Sequence, residues 1–595
     1  VVRRLIIVLT RCGPSLLGLL FASASSPAAN VDLNLTFGWQ KQAINVPSAP
    51  VTSPAGQTLS ITRVSGLISE LELVRADGTS VQLTGQYGFF DAADPTRHNI
   101  ALHHVPVGHY TGMNLRIGVA PGPNHSDPSL WPAGHALNPI TNGLHWGWTG
   151  GYVFLAIEGH YTNLTLDIRD STFASAGGFS FHLATDELPL PVRFSQPFSI
   201  TGDSKITLLF DLADLLGELR LDPDADTTTT HSRDGDILAP RLAAAVGPSF
   251  WFGDATPAPT SVHSSIDLQP STSTAAAPPL PFLVPAGWPQ PALPHDNAPT
   301  APGVALGEKL FHDPRLSGDN TQSCADCHQA SRALADDTAF SLGIHGDPGP
   351  RNAMPLFNLA WSPDFAWDGS QPRIRDQSIA AMTNPIEMDA DPATVIATLA
   401  PDQSLQADFA AAFGDKTITV ERIGLALEQF LLTEVSADSR FDQSLRGPVK
   451  LTAQEARGLE LFNREFDPRR EQFGADCFHC HGGGLFTDFA PKNNGLDLVS
   501  TDQGRQLVTA AEADAGKFKT PSLRNIALTA PYMHDGRFDT LEEVITHYTS
   551  GVQRPPQLDP NLAKHPGRGV PLSQSDQAAL VAFLRTLTDP RYASP

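Results

Sequence analysis

The chain is short of methionine, cysteine and positive charge: its 595 residues carry five methionines and five cysteines, and 40 lysines and arginines face 63 aspartates and glutamates. A formal net charge of -23 with no basic run removes the electrostatic basis for binding nucleic acid or an anionic membrane surface. Long apolar runs are also missing. Near the start, Arg3 and Arg4 precede LIIVLT, Arg11 interrupts, and LLGLLFASA ends in Ala22, Ser23 and Ala24. Charge breaks that stretch well short of the roughly 20 residues a membrane span needs, so residues 1–29 read as a signal peptide and the protein as exported, periplasmic in a bacterium. Cys12 lies in this leader, and the other four cysteines form two pairs that leave no disulfide framework.

Those pairs are SCADCH at 323–328 and ADCFHCH at 475–481. Each contains Cys-x-x-Cys-His, the form of covalent c-type haem attachment, with two thioether cysteines and a histidine as proximal iron ligand. Cys324, Cys327 and His328 make one site, and Cys477, Cys480 and His481 the other. A zinc knuckle or a redox dithiol needs no histidine abutting its second cysteine. Two covalently bound c-type haems are therefore expected.

Around them the chain changes character three times. From 30 to 254, alternating runs such as VDLNLTF, SELELVRA and YVFLAIEG are separated by Gly, Pro, Asn and Asp turns, which predicts an all-β sandwich. Residues 255–300 are rich in Pro, Ala, Ser and Thr and read as a linker unlikely to bury a core. From 301 the apolar spacing becomes helical, and LTAQEARGLELFNR repeats the lead-in VALGEKLFHDPRLS: an amphipathic helix ending in Leu-Phe, a loop, then a haem motif. This predicts a mainly α di-haem module of two cytochrome c-like domains, 301–446 and 447–595.

Within the β region, VGHYTGMNLRIGVAPGPNH, HWGWTGGYVFLAIEG and FSFHLATD resemble the MbnP family, periplasmic copper-associated β proteins related to the CorA/MopE copper proteins. The resemblance implies that a tryptophan is oxidised to kynurenine beside a copper site. Trp39, where the strand pattern breaks, is the expected substrate, whereas Trp146 and Trp148 are expected to pack in the core. His98, His103, His104, His125 and His182 are the available imidazoles for copper.

The stretch FKTPSLRNIALTAPYMHDGRFDTLEEVITHY from Phe518, with GPRNAMPLFNLAW, FAWDGSQPRIRDQ and NPIEM, resembles the bacterial di-haem cytochrome c peroxidase and MauG family. The resemblance implies roles residue by residue. Trp367 lies between the haems as a charge relay. Gln377 and Glu387 form the distal pair of the peroxide-reacting haem, where a carboxylate moves a proton between the peroxide oxygens. His534 faces the same region. Asn352, Thr529 and Pro531 supply oxygens to an inter-haem calcium ion. Tyr548, fourteen positions after His534, is the distal iron ligand of the second haem, where other members have methionine. A phenolate favours ferric and higher states, so tyrosine points to storage of oxidising equivalents. Ala381 replaces a common proline and is followed by Met382, which would be open to oxidation. His345 lies one position from the place of a removable distal histidine, and an open first haem is preferred.

Together these resemblances imply a natural fusion of an MbnP-like substrate domain with a MauG-like oxidase of the MbnH type. Hydrogen peroxide would react at the haem on His328, and a high-valent di-haem state would oxidise Trp39 to kynurenine, maturing a copper site. Two alternatives stand beside it. One is a di-haem peroxidase taking electrons from a small redox protein, with the β domain for docking. The other is a copper-binding protein whose haem module acts once, as a maturation device.

Overall fold

A computed structural model describes residues 27–146, 151–163, 175–232, 235–257, 277–565 and 567–593. The long alternating run TLSITRVSGLISELELVR forms the strand Thr58–Arg75, the spine of a ten-stranded sheet. Val153–Asn163 pairs with its first half and Gly108–Ile117 with its second, both antiparallel. The register slips between Ser69 and Glu72, with Glu70 at φ 50°, and a bulge of this kind bends the strand and curls the sheet. A five-stranded sheet is centred on Ala28–Trp39, with Ser204–Asp211 parallel to it and Asn99–Pro106 antiparallel. Val31, Leu33, Leu35 and Phe37 alternate inward to a core shared with Ile61, Val64, Leu115 and Phe181 of the other sheet. The N-terminal region is thus the expected all-β architecture, built of curled sheets.

The strand Ser175–Ala184 shows how this region meets the rest. Its Phe179 and Phe181 enter the β core, so period-two alternation sends Ser180 and His182 to the opposite face. That face is covered rather than solvated, for Ser180 is 0% and His182 4% exposed. Ser180 Oγ donates to Asn561 Oδ1 of the helical module at 3.0 Å, and a Cβ on Gly178 would lie 2.5 Å from the Pro560 carbonyl oxygen. Glycine is what lets the two backbones approach.

The expected linker is narrower than its composition suggests. Residues 258–276 lie outside the described residues, but 277–300 are docked on the helical module. Trp288 is 3% exposed, packs edge-on to Trp361 at 5.0 Å between centroids, and lies under the Arg524 guanidinium at 4.4 Å. Burying an indole is worth on the order of 5 kcal/mol before ordering costs, which outweighs a proline-rich segment's preference for solvent. Asn138 of the β region donates to the Gln290 carbonyl at 3.0 Å, so the segment also ties the two regions together.

The helical module repeats itself in detail. Helix Ala301–Phe311 packs on Val420–Thr433, and Ala453–Phe462 packs on Gln574–Arg585. In the first pair a Cβ on Gly307 would lie 2.0 Å from the Ala426 carbonyl oxygen and 2.7 Å from Phe430 Cβ. In the second, a Cβ on Gly458 would meet the Ala579 carbonyl oxygen and Phe583 Cβ at those same distances. The division expected at 446/447 is crossed by the far end of the chain. Tyr592 packs in the core of the first unit and donates its hydroxyl to Glu434 at 3.0 Å. No helix among the described residues is long and apolar enough to cross a membrane, and the predicted leader lies outside them up to residue 26.

Candidate active site

The first haem motif begins on a single helical turn, Cys324–Cys327, held by Ser323, whose backbone and hydroxyl both donate to Asp326 at 2.7 and 2.8 Å. The His328 ring follows, and its Nδ1–H donates to the Leu334 carbonyl at 3.0 Å. In the second motif His481 Nδ1–H donates to the Phe486 carbonyl at 3.2 Å. Fixing Nδ1 as the donor leaves Nε2 with its lone pair for a metal. Burial lowers the pKa of both rings, that of His481 to about 4, and so keeps them neutral. With two cysteines beside each ring, the residues present fit a c-type haem at both motifs.

Glu387 reaches the first motif through a loop. Gln322 Nε2 touches Cys327 Sγ at 3.4 Å and donates to the Leu342 carbonyl at 2.8 Å, and the Ile344 N–H donates to the Glu387 carbonyl at 2.9 Å. Burial raises the Glu387 pKa, opposed by a 2.7 Å hydrogen bond from Asn384. A carboxyl poised this way exchanges a proton more readily near neutrality than a solvated one. Gln377 sits half-buried on the helix Ile374–Thr383, which leads into the Glu387 loop. His345 turns outward and pairs with Asp389 at 2.9 Å, its side chain 55% exposed. Met382 is not open to oxidant: it is 3% exposed in the module's core, where its helix packs.

The second motif opens on a cavity lined by Cys477, Cys480, His481 and Tyr548. Tyr548 lies in a turn of π-helix, His547–Gly551, and its hydroxyl accepts from Asn494 at 3.3 Å. Burial pushes its pKa up to about 12. Trp367, Asn352, Thr529, Pro531 and His534 line the same cavity. The Trp367 indole N–H donates to the Asn352 carbonyl at 2.8 Å, and the Asn352 N–H to the His534 carbonyl at 2.8 Å. His534 lines this cavity with Trp367, stacked on Phe518 at 3.7 Å.

The chain matches the di-haem cytochrome c peroxidase family over residues 301–450 and the MbnP family over residues 28–232. It is 34% identical over 302 residues to methylamine utilization protein MauG of Methylorubrum extorquens, covering 50% of this chain and 81% of that protein. To the cytochrome c peroxidase Ccp of Escherichia coli it is 35% identical over 311 residues, covering 50% of this chain and 60% of that one. A crystal structure of a MauG-like protein associated with microbial copper homeostasis matches at 34% identity and TM-score 0.46, over 53% of this chain and 97% of that one. The chain belongs to the di-haem cytochrome c peroxidase family.

This di-haem peroxidase carries an MbnP-like β domain in the same chain, and the second haem motif lies against it. Trp146 is half-buried at the seam, its ring 6.4 Å from that of Phe478 at 80°, and Phe478 is the residue directly after Cys477. Trp39 is elsewhere: it ends the strand Ala28–Trp39, is 6% exposed, and donates its indole N–H to the Thr52 carbonyl at 3.1 Å. Trp148 lies outside the described residues. The five histidines weighed for copper are not gathered together. His98 bonds the Ala92 carbonyl, His103 and His104 are exposed, and His125 pairs with Asp186 in an exposed turn. His182 alone is buried at the seam, where His231 and His479 join it. His479 went unremarked in the sequence because it fills a spacer position of the haem motif.

Proposed function

We propose that the protein is a hydrogen-peroxide-dependent di-haem oxidase whose substrate is a tryptophan of its own β domain, converted to kynurenine. The observation that carries this reading is the contact of Trp146 with Phe478, which puts an oxidisable indole against the second haem motif. It favours Trp146 over Trp39, whose indole is enclosed in the β domain. When bound, the haems supply the two-electron chemistry that reduces peroxide to water while oxidising the indole. Two peroxide equivalents balance ring opening to N-formylkynurenine with release of two waters, and hydrolysis then yields kynurenine and formate.

The chain's own residues divide the work. Glu387, with Gln377, accepts a proton from peroxide at the first site and returns it to the departing oxygen. Trp367 relays charge between the sites, and its indole N–H bond to the Asn352 carbonyl holds the ring in place. Asn352, Thr529 and Pro531, which line one cavity, would hold a calcium ion through the hard oxygens it prefers. Tyr548, which lines the cavity beside His481, would hold the second iron through its oxygen, and such a ligand would favour storage of oxidising equivalents over rapid exchange with a donor protein. Exposed His345 leaves the first site open to peroxide. Because the substrate is part of the chain, binding costs no encounter.

Peptide mass spectrometry of the haem-loaded protein before and after peroxide tests the reading. A kynurenine-type product at Trp146 is expected, and no oxidised tryptophan anywhere in the β domain sinks it. A peroxidase that draws electrons from a small redox protein is the second reading, favoured by the peroxidase named among the relatives. Fast turnover with such a donor and an unchanged β domain would select it.

A further inference from the structure

Two tryptophans flank the second haem motif, and only one of them is the proposed substrate. Trp146 meets Phe478, the residue after Cys477, with ring centroids 6.4 Å apart. Trp288 meets Gly484, just past His481, so closely that a Cβ there would lie 3.2 Å from the indole Nε1. Trp288 belongs to the segment between the two family matches, 28–232 and 301–450, so neither family accounts for it. Its ring packs edge-on to Trp361 at 5.0 Å between centroids. Trp361 is 1% exposed in the core of the first unit and donates its indole N–H to the Pro289 carbonyl at 2.8 Å. Two indoles in contact, one against the second haem motif and one inside the first unit, compete with Trp146 as electron sources for the second site.

A buried cation stands between that pair and the haem motif. Arg524 is 0% exposed, and its guanidinium carbon lies 4.4 Å from the Trp288 ring centroid and 5.6 Å from that of Phe486, whose carbonyl accepts from His481 Nδ1. Asp442 accepts from both terminal nitrogens of Arg524, at 2.8 and 2.9 Å, and the Gly484 carbonyl accepts from its Nε at 2.7 Å, so the guanidinium cannot turn away. A cation over the face of an indole is attracted by the neutral ring and repelled by the radical cation that the ring becomes on losing an electron. With no water to screen it, that repulsion is felt strongly. Asp442 offsets part of the charge, yet the guanidinium is the charged group that lies over the ring. Around Trp146 stand instead the rings of His182, His231 and Phe478, at 6.1, 6.0 and 6.4 Å, and Arg63 in the same cavity wall turns its guanidinium onto Glu158 at 3.1 Å.

We propose that Arg524 is a specificity-determining residue: its charge keeps Trp288, and through it Trp361, from giving up electrons, so that oxidation falls on Trp146. The oxidant is the one named in the proposed function, on which this inference rests. Each electron taken from an indole leaves a radical cation on the ring, and peroxide takes up two such electrons with two protons to give two waters. At Trp288 that step would set a new positive charge against a guanidinium fixed in place, which at Trp146 it does not. The segment 277–300 can therefore anchor itself with an indole beside a haem motif without becoming a target of the chemistry done there.

The test maps oxidised tryptophans by peptide mass spectrometry in the haem-loaded full chain after excess hydrogen peroxide. The unmutated chain should keep Trp288 and Trp361 unmodified. Arg524→Gln should raise oxidised product at this pair by about tenfold or more, with a matching fall at Trp146. Arg524→Lys, which keeps the charge but not the fork, should stay within about threefold of the unmutated chain. Freeze-quench electron paramagnetic resonance gives a readout apart from product: a tryptophan radical that Trp288→Phe removes should appear in Arg524→Gln and not in the unmutated chain. Because Arg524 is buried on Asp442, the neutral double variant Arg524→Gln/Asp442→Asn is made beside the single ones and should oxidise the pair likewise. A lysine variant as oxidised as the glutamine one marks a merely structural role and overturns the proposal. Product at Trp288 in the unmutated chain overturns it with no substitution at all. If the unmutated chain forms product at Trp146 and Arg524→Gln forms none at the pair, the role of Arg524 falls and the oxidase reading stands; if no product forms in the β domain of the unmutated chain, the oxidase reading itself falls.

Discussion

His328 and His481 are held by the same device, a ring N–H given to a carbonyl a few residues on, and each follows a helix that packs through a glycine on a later helix at the same contact distances. Their surroundings then diverge. Near the first motif are an outward-turned His345 and the half-buried carboxyl of Glu387. Around His481 are Tyr548, the wall carrying Trp367 and, across the seam, Trp146. One repeated helix pair therefore carries two environments, made by the segments around it and by the added β domain. A duplicated unit can acquire division of labour without altering the packing that folds it.

The largest test of that division is at the seam. Trp146→Phe should abolish the kynurenine-type product by peptide mass spectrometry while the first site still consumes peroxide, and Trp39→Phe should leave the product in place. The next is at the other site: Glu387→Gln should slow the peroxide reaction by about 100- to 10,000-fold in stopped-flow absorbance and leave the second haem's spectrum unchanged. Tyr548→Met should do the reverse, cutting product yield by about tenfold or more with peroxide consumption preserved, since it removes only the oxygen proposed for the second iron.

Smaller effects probe what the two units share. Gly307→Ala and Gly458→Ala each drive a Cβ to 2.0 Å from a carbonyl oxygen, and each should cost about 1–3 kcal/mol, read as a similar fall in thermal midpoint. A marked inequality would mean that the repeat is not equivalent in its packing. The pH profile is the mildest. Burial raises the Glu387 pKa, so the ionised base is gained only above the ordinary carboxylate value of about 4.3, and the peroxide rate should rise with pH through that higher value. The same shift means the folded state holds this proton more tightly than the unfolded chain, so its contribution to stability falls as pH rises through that window. Both limbs should vanish in Glu387→Gln.

What could be read from the sequence was what lies close together along it. Cys-x-x-Cys-His, the alternation of Ala28–Trp39 and the repeated helix ending in Leu-Phe are local patterns, and local sterics make them legible. The seam was not legible, because its histidines lie far apart in the chain and no periodicity joins them. Trp146 looked like core packing for the same reason, since nothing in HWGWTGG says which surface covers it. Trp288 was hidden by composition: proline around it signals a linker, yet one indole is enough to dock the segment.

Tyr592 carries a consequence for synthesis. The core around the first haem motif is completed by a residue that leaves the ribosome after the whole of the second unit, and Arg591 beside it pairs with Glu434 at 2.7 Å. The unit made first is therefore the one finished last. Until that late segment arrives, the core beside the first haem motif stays incomplete.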